Sequence, residues 1–215
     1  MMINIIKLVD VPVLHAREDV GKKAGVLRGN GENGTVEKDV NREQSPVDEM
    51  WAGIAAKIGE LNLPWKHARI YQDGLPVCGN ELEIVTRLAE QNSWNHVLIL
   101  DLLKKGAKLE GTENIDFLMR EYDLLNILLM KNSTADLSTV ALGAKVEYQA
   151  KSRELLKLRD EFIFNRVKST LQEKEVAVVF MGVMHQLDKM LEKDFLISYI
   201  IYRLPFRSVG AIYNV

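Results

Sequence analysis

Two stretches of the chain are apolar on both faces, and they constrain the fold more than any other feature. Val176 to Phe180 reads VAVVF, and Ile3 to Leu14 reads INIIKLVDVPVL. A strand that alternates apolar and polar residues covers a core on one side only. A strand apolar on both sides needs a layer on each, as in a parallel sheet held between helices. The first stretch reads as one buried strand, interrupted or ended near Pro12, since proline cannot donate to a ladder.

The intervening segments supply the helices. Ser45, Pro46 and Asp48 have the form of an N-cap, an N1 proline and an acidic first turn, so a helix should run from about Pro46 to Leu61. Ala68 to Gln72 is a short strand ahead of the turn pair Asp73-Gly74. Glu81 to Gln91 and Asn95 to Lys105 are helical, the second stopped at Gly106. Ala107 to Leu109 is a brief strand running into Glu110. Helices follow over Asn114 to Met130 and over the charged tract from Leu142 to Lys174. After VAVVF, a short helix from Gln186 to Glu192 leads to a last strand, Asp194 to Tyr202. Strands alternating with helices predict an α/β fold, its mainly parallel sheet flanked by helices on both faces. With 215 residues, the chain is expected to form a single α/β domain over 1–215. The Gly- and Asn-rich stretch Lys22 to Gln44 is expected to be a flexible loop or lid over about 22–44.

Composition removes several function classes. The chain is 47% hydrophobic and 27% charged, with a net charge of −2. That balance gives no global attraction for nucleic acid or for an anionic membrane surface. The single cysteine, Cys78, cannot close an internal disulfide, and the start MMINIIKLVDVP lacks a cleavage site. The apolar run Phe195 to Tyr202 is about half of a bilayer span. The expectation is a cytoplasmic protein acting on a small molecule.

In parallel α/β sheets, ligands bind beyond the carboxyl ends of the strands. Those ends here carry His15, Asp73, Glu110 with Glu113, and His185. Imidazoles and carboxylates converging on one edge make a nitrogen and oxygen set suited to a divalent metal ion such as Zn²⁺ or Mn²⁺. Each position also has a plainer reading. Either histidine would serve as a packed strand end with one backbone hydrogen bond, and Asp73 before Gly74 is ordinary turn chemistry. Thr112 has the form of an N-cap, which would make Glu113 a common first-turn acid. On the long helix, Arg159, Ile163 and Arg166 share one face with Asp160 beside them. They would form an anion clamp or a helix-to-sheet ion pair. His67 and His96 look incidental, and Trp51, Trp65 and Trp94 read as core or staple residues.

The segment RDEFIFNRVKSTLQEKEVAVVFMGVMH, Arg159 to His185, resembles the tail pattern of the TraB/PrgY/Tiki and erythromycin esterase/ChaN-like group: an Arg-Asp pair on a helix, a later arginine, a hydrophobic strand, then Gly-x-x-His. The strand-to-His15 junction resembles the group's first histidine, although Pro12-Val13-Leu14 precedes it here instead of a glycine-containing turn. It also resembles a bacterial family in which a strand-end histidine is followed by Asp and Gly, as in His15, Asp19 and Gly21. The resemblance implies metal-dependent hydrolysis, with His15, Arg159, Asp160, Arg166 and His185 in the site. The expected function is therefore a metal-dependent hydrolase-like protein. His15 and His185 with one or two of Asp73, Glu110 and Glu113 would hold the metal, a remaining carboxylate would be the general base, and Asp160, Arg159 and Arg166 would be catalytic. The alternative is a non-catalytic small-molecule-binding or homo-oligomeric interaction protein of the same fold.

Overall fold

The computed structural model describes residues 6–13, 46–131 and 140–202. In chain order the elements are β1 (Ile6–Val13), α1 (Pro46–Glu60), a 3₁₀ turn (Trp65–His67), β2 (Ala68–Gln72), α2 (Glu81–Glu90) and α3 (Trp94–Lys104). There follow β3 (Lys108–Glu110), α4 (Ile115–Lys131), α5 (Leu142–Thr170), β4 (Val176–Gly182), α6 (Leu187–Leu191) and β5 (Phe195–Tyr199). The strands form one sheet in the order β3-β2-β4-β1-β5. Every neighbouring pair is parallel. The fold is α/β. The two Val-rich stretches, β1 and β4, are hydrogen-bonded neighbours at the centre, from Lys7 opposite Val176 to Val13 opposite Gly182.

Alternation along each strand divides its side chains between two cores. Val9, Val11, Val13, Ile70, Val178 and Phe180 face α1, α2 and α3 through Trp51, Ile54, Val85, Ile99 and Leu102. Leu8, Tyr71, Ala177, Val179 and Met181 face α5 and α6 through Ile163, Val167, Leu187 and Leu191. Each fully buried aliphatic side chain contributes roughly 1.5–3 kcal/mol. α4 packs on α5, with Phe117 and Phe162 edge to face at 6.4 Å. The paired cores answer the requirement that the VAVVF pattern imposed.

Several points differ from the sequence reading, among them the last strand, which ends at Tyr199 and not at Tyr202. The long helix ends at Thr170, short of Lys174. Lys174 takes φ +70°, outside the helical region, and the chain turns there into β4. β3 includes Glu110, so that residue lies on the strand itself. Thr112 does not cap α4. It is fully buried, and its hydroxyl donates to the carbonyls of Gln72 and Leu75. The loop expected over Lys22 to Gln44, the Ser45 cap and His15 lie outside the described residues. No helix among the described residues is long and apolar enough to cross a membrane.

The topology marks a place for a site. The chain leaves β2 toward β3 through α2 and α3 on one face, and leaves β4 toward β5 through α6 on the other. Adjacent strands whose onward connections part in this way open a crevice at their carboxyl ends. Asp73 follows β2, and His185 follows β4.

Candidate metal centre

Asp73 is set by the sheet. Its backbone N–H extends the β2·β4 ladder to the Phe180 carbonyl at 2.8 Å, and its Oδ2 accepts the Gly182 N–H at 3.1 Å. Gly74 follows at φ +74°, a left-handed turn that suits glycine, and donates its N–H to Glu113 Oε1 at 3.1 Å. Thr112 and Glu113 each donate a backbone N–H to the Leu75 carbonyl, and Val77 donates to the Glu113 carbonyl. The loop after β2 and the loop after β3 are thus zipped together, bringing Glu113 inside. Its exposure is 0%, so it is not an ordinary first-turn acid.

The zipper needs Gly111. A Cβ there would stand 2.8 Å from the Cα of Val77 and 2.9 Å from the carbonyl oxygen of Pro76.

α5 delivers the other two groups. Arg159 donates from Nε to Glu113 Oε2 at 2.8 Å and from Nη2 to Asp73 Oδ1 at 2.9 Å, with further ion pairs to Glu113 and Glu121. Burial acts against the charged guanidinium, but Glu113, Asp73 and Glu121 outweigh it and raise its pKa. Asp160, one position on, lies 2.5 Å through Oδ1 from His185 Nδ1, and its Oδ2 accepts the Gln186 N–H at 3.2 Å. The Gly182-to-His185 turn, closed by the His185 N–H on the Gly182 carbonyl, aims the imidazole back over the sheet end. Its Nε2 stands 3.5 Å from Asp73 Oδ1.

The result is a buried constellation of unlike charges. One ligand atom from each of Asp73, Glu113 and His185 lies within 4.8 Å of the others. Burial disfavours protonated His185, yet the hydrogen bonds to Asp160 and Asp73 more than compensate and push its pKa up to about 10. For Glu113, burial and the adjacent Asp73 raise the carboxyl above the ordinary range, against the pull of Arg159. Two carboxylate oxygens and one imidazole nitrogen suit Zn²⁺ or Mn²⁺, and a three-ligand set leaves a coordination position open.

Of the residues singled out in the sequence, Asp73, Glu113, Arg159, Asp160 and His185 converge. Glu110 and Arg166 do not join them. Arg166 donates to the Gly111 carbonyl at 3.2 Å and pairs with Glu110 at 3.3 Å, and Glu110 also pairs with Arg69. Arg69 in turn pairs with Glu175. Arg159 and Arg166 share the α5 face as expected, but the buried side chain of Ile163 lies between them and each meets its own carboxylates. They are not one clamp. Glu121, a half-buried partner of Arg159, has no signal in the sequence, since nothing in the α4 pattern distinguishes it from the neighbouring acids. Comparison with family models, with curated proteins and with solved structures finds no significant match.

Proposed function

We propose that Asp73, Glu113 and His185 hold a divalent metal ion at the crevice between β2 and β4, and that the protein is a metal-dependent hydrolase-like protein acting on a small molecule. The observation that carries this reading is the Asp160–His185 pair. A carboxylate on Nδ1 fixes the ring and leaves Nε2 facing Asp73, the arrangement that orients histidine at metal sites. A metal bound there would lower the pKa of a coordinated water toward neutrality. Asp160 orients His185, the Gly182 N–H holds one oxygen of Asp73, and Arg159 tempers the charge of Asp73 and Glu113. The same implication follows from the resemblance of Arg159 to His185 to the TraB/PrgY/Tiki and erythromycin esterase/ChaN-like group. The lone cysteine, Cys78, accords with a reducing cytoplasmic setting.

The second reading is a non-catalytic binding protein whose cluster is a closed ion network. It draws on Arg159, which already engages Asp73, Glu113 and Glu121. Titration of metal-stripped protein with Mn²⁺ or Zn²⁺ separates the two. The metal reading expects near-stoichiometric binding with release of protons at neutral pH, because His185 must give up the proton on Nε2. It also expects His185→Ala to lose the binding while keeping the fold. Absence of stoichiometric binding in the wild-type protein would leave the closed network.

A further inference from the structure

A groove of about 360 Å³ runs between α5 and α6, and the buried side chain of Asp160 forms part of its wall. Both Asp160 oxygens are engaged, Oδ1 with His185 and Oδ2 with the Gln186 N–H. Three cations line the same groove, Arg153 and Lys157 from α5 and Lys189 from α6. Among the described residues none of the three pairs with a carboxylate, and Lys189 donates to Oε1 of Gln186 at 3.4 Å.

Other exposed helical cations are neutralised on their own helix. Arg87 pairs with Glu83, Lys104 with Asp101 and Lys151 with Glu147. Glu161 stands four positions after Lys157 and lines the groove, yet the two do not pair. Arg153 and Lys157 are also four apart, a spacing at which like charges on a helix repel. In a chain of net charge −2, these cations are a local excess that a bound anion would relieve.

Charge and lining indicate which anion. Glu161 offsets one of the three cations, and the two positive charges left match a phosphate monoester dianion better than a carboxylate monoanion. Arg153 offers a planar fork to two phosphate oxygens, and the lysines offer ammonium donors. Leu156 and Met190 supply apolar wall for the carbons attached to the phosphate. The groove is about a dozen times the roughly 30 Å³ share of one water molecule, room for a phosphate and several carbons.

We propose that this groove is a recognition subsite for the phosphate group of a small phosphate monoester, with Arg153, Lys157 and Lys189 as its donors. Asp160 joins the groove to the centre, because one side chain is both groove wall and partner of His185. The subsite would anchor an organic phosphate beside the centre, which narrows the substrate class of the proposed hydrolase. That role rests on the metal reading; the binding itself does not.

The test uses full-length protein stripped of metal and freed of chelator, at about pH 7.5, where a phosphate monoester is dianionic. NMR chemical shifts follow its titration with n-butyl phosphate at constant ionic strength, with n-butyrate and inorganic phosphate as comparisons. Saturable binding of n-butyl phosphate is expected, with shifts centred on Lys157 and Lys189. Binding should be weaker by about tenfold or more in the Arg153→Gln/Lys157→Gln double variant and for n-butyrate. Inorganic phosphate should bind more weakly than the ester, because it lacks the carbons that Leu156 and Met190 would contact. Both replaced side chains are exposed, so the variant should keep the fold, and Lys104→Gln on α3 is the control that should bind as wild type does. Equal binding by wild type and the double variant, equal binding of the ester and either comparison, or no saturable response would each overturn the proposal. A separate Mn²⁺ titration without phosphate reports on the metal centre, so one reading can fail without the other.

Discussion

Nδ1 of His185 lies 2.5 Å from Oδ1 of Asp160, and this contact joins the turn after β4 to the middle of α5. Removing the charge of Asp160 should change both the titration of His185 and the hold on a metal. The folded pKa of about 10 lies above the unfolded value of 6.5, so the pairing stabilises the fold fully below about pH 6.5. That stabilisation is lost as pH rises through 10. Asp160→Asn should therefore melt earlier than wild type at pH 6, with the gap narrowing toward pH 10. Metal affinity should fall about 10- to 100-fold. A gap that widened with rising pH would contradict the assignment.

Arg159 is the cation that keeps Asp73 and Glu113 tolerable inside the protein. It is only 6% exposed. Arg159→Met would leave buried carboxylates uncompensated, at a cost of about 3–5 kcal/mol. Saturating Mn²⁺ should recover part of that loss, since the ion would meet the same oxygens. Denaturant melts with and without Mn²⁺ check this. A loss that is the same in both would mean that the metal does not engage those carboxylates.

How far the sequence carries such arguments is visible residue by residue. The sheet could be read because β1 and β4 are apolar on both faces, and because Gly106 and the Asp73-Gly74 pair punctuate the chain. Glu110 and Glu113 show where reading stops. One ends the short strand β3 and the other follows it, and only the hydrogen bonds of Thr112 and Glu113 to Leu75, formed between segments distant in sequence, decide that Glu113 turns inward. Local patterns favour the first-turn reading of Glu113 because they contain no information about the loop after β2. The signal that was present is Gly111, required where two backbones meet. Asp10 carried a signal as well. An acid within a run otherwise suited to a strand buried on both faces has to find a partner or a function.

Asp10 should make stability depend on pH in the opposite sense from an ion-paired acid. Its folded pKa of about 6 exceeds the unfolded 3.8, so ionisation favours the unfolded chain and the fold is disadvantaged above pH 6. Below about pH 3.8 the effect is absent. Asp10→Asn is expected to be more stable than wild type by roughly 3 kcal/mol at pH 8. The difference should vanish near pH 3.5. An Asp10→Asn variant less stable than wild type at pH 8 would point to an unrecognised donor to the carboxylate.

Glu175 provides the reverse case. Burial opposes its ionisation, but the Arg69 and Lys108 side chains and the Gln172 N–H lower its carboxyl to about 2. A depressed folded pKa contributes stability that is present above the unfolded value near 4.5 and disappears as pH falls toward 2. Glu175→Gln should thus melt a few degrees below wild type at pH 7. The two proteins should converge in acid, and thermal melts at pH 7, 4 and 2.5 would reveal it. Parallel curves across that range would remove Glu175 from the acid response.

The last prediction tests whether the backbone zipper, and not only the side chains, holds the centre together. Gly111→Ala would push a methyl group to 2.8 Å from the Val77 Cα and 2.9 Å from the Pro76 carbonyl. Backbone neighbours cannot rotate away as a side chain can, so the loops after β2 and β3 must separate. Separation strains the Thr112 and Glu113 bonds to Leu75 and moves Glu113 relative to Asp73. A destabilisation of about 1–3 kcal/mol is expected. Metal binding should weaken as well, although Gly111 carries no ligand. Gly143→Ala, on α5 with nothing within 4 Å of its added Cβ, is the control and should be neutral or stabilising by up to about 1 kcal/mol. If Gly111→Ala bound Mn²⁺ as tightly as wild type while losing stability, the position of Glu113 would not matter to the metal, and Asp73 with His185 alone would have to hold it.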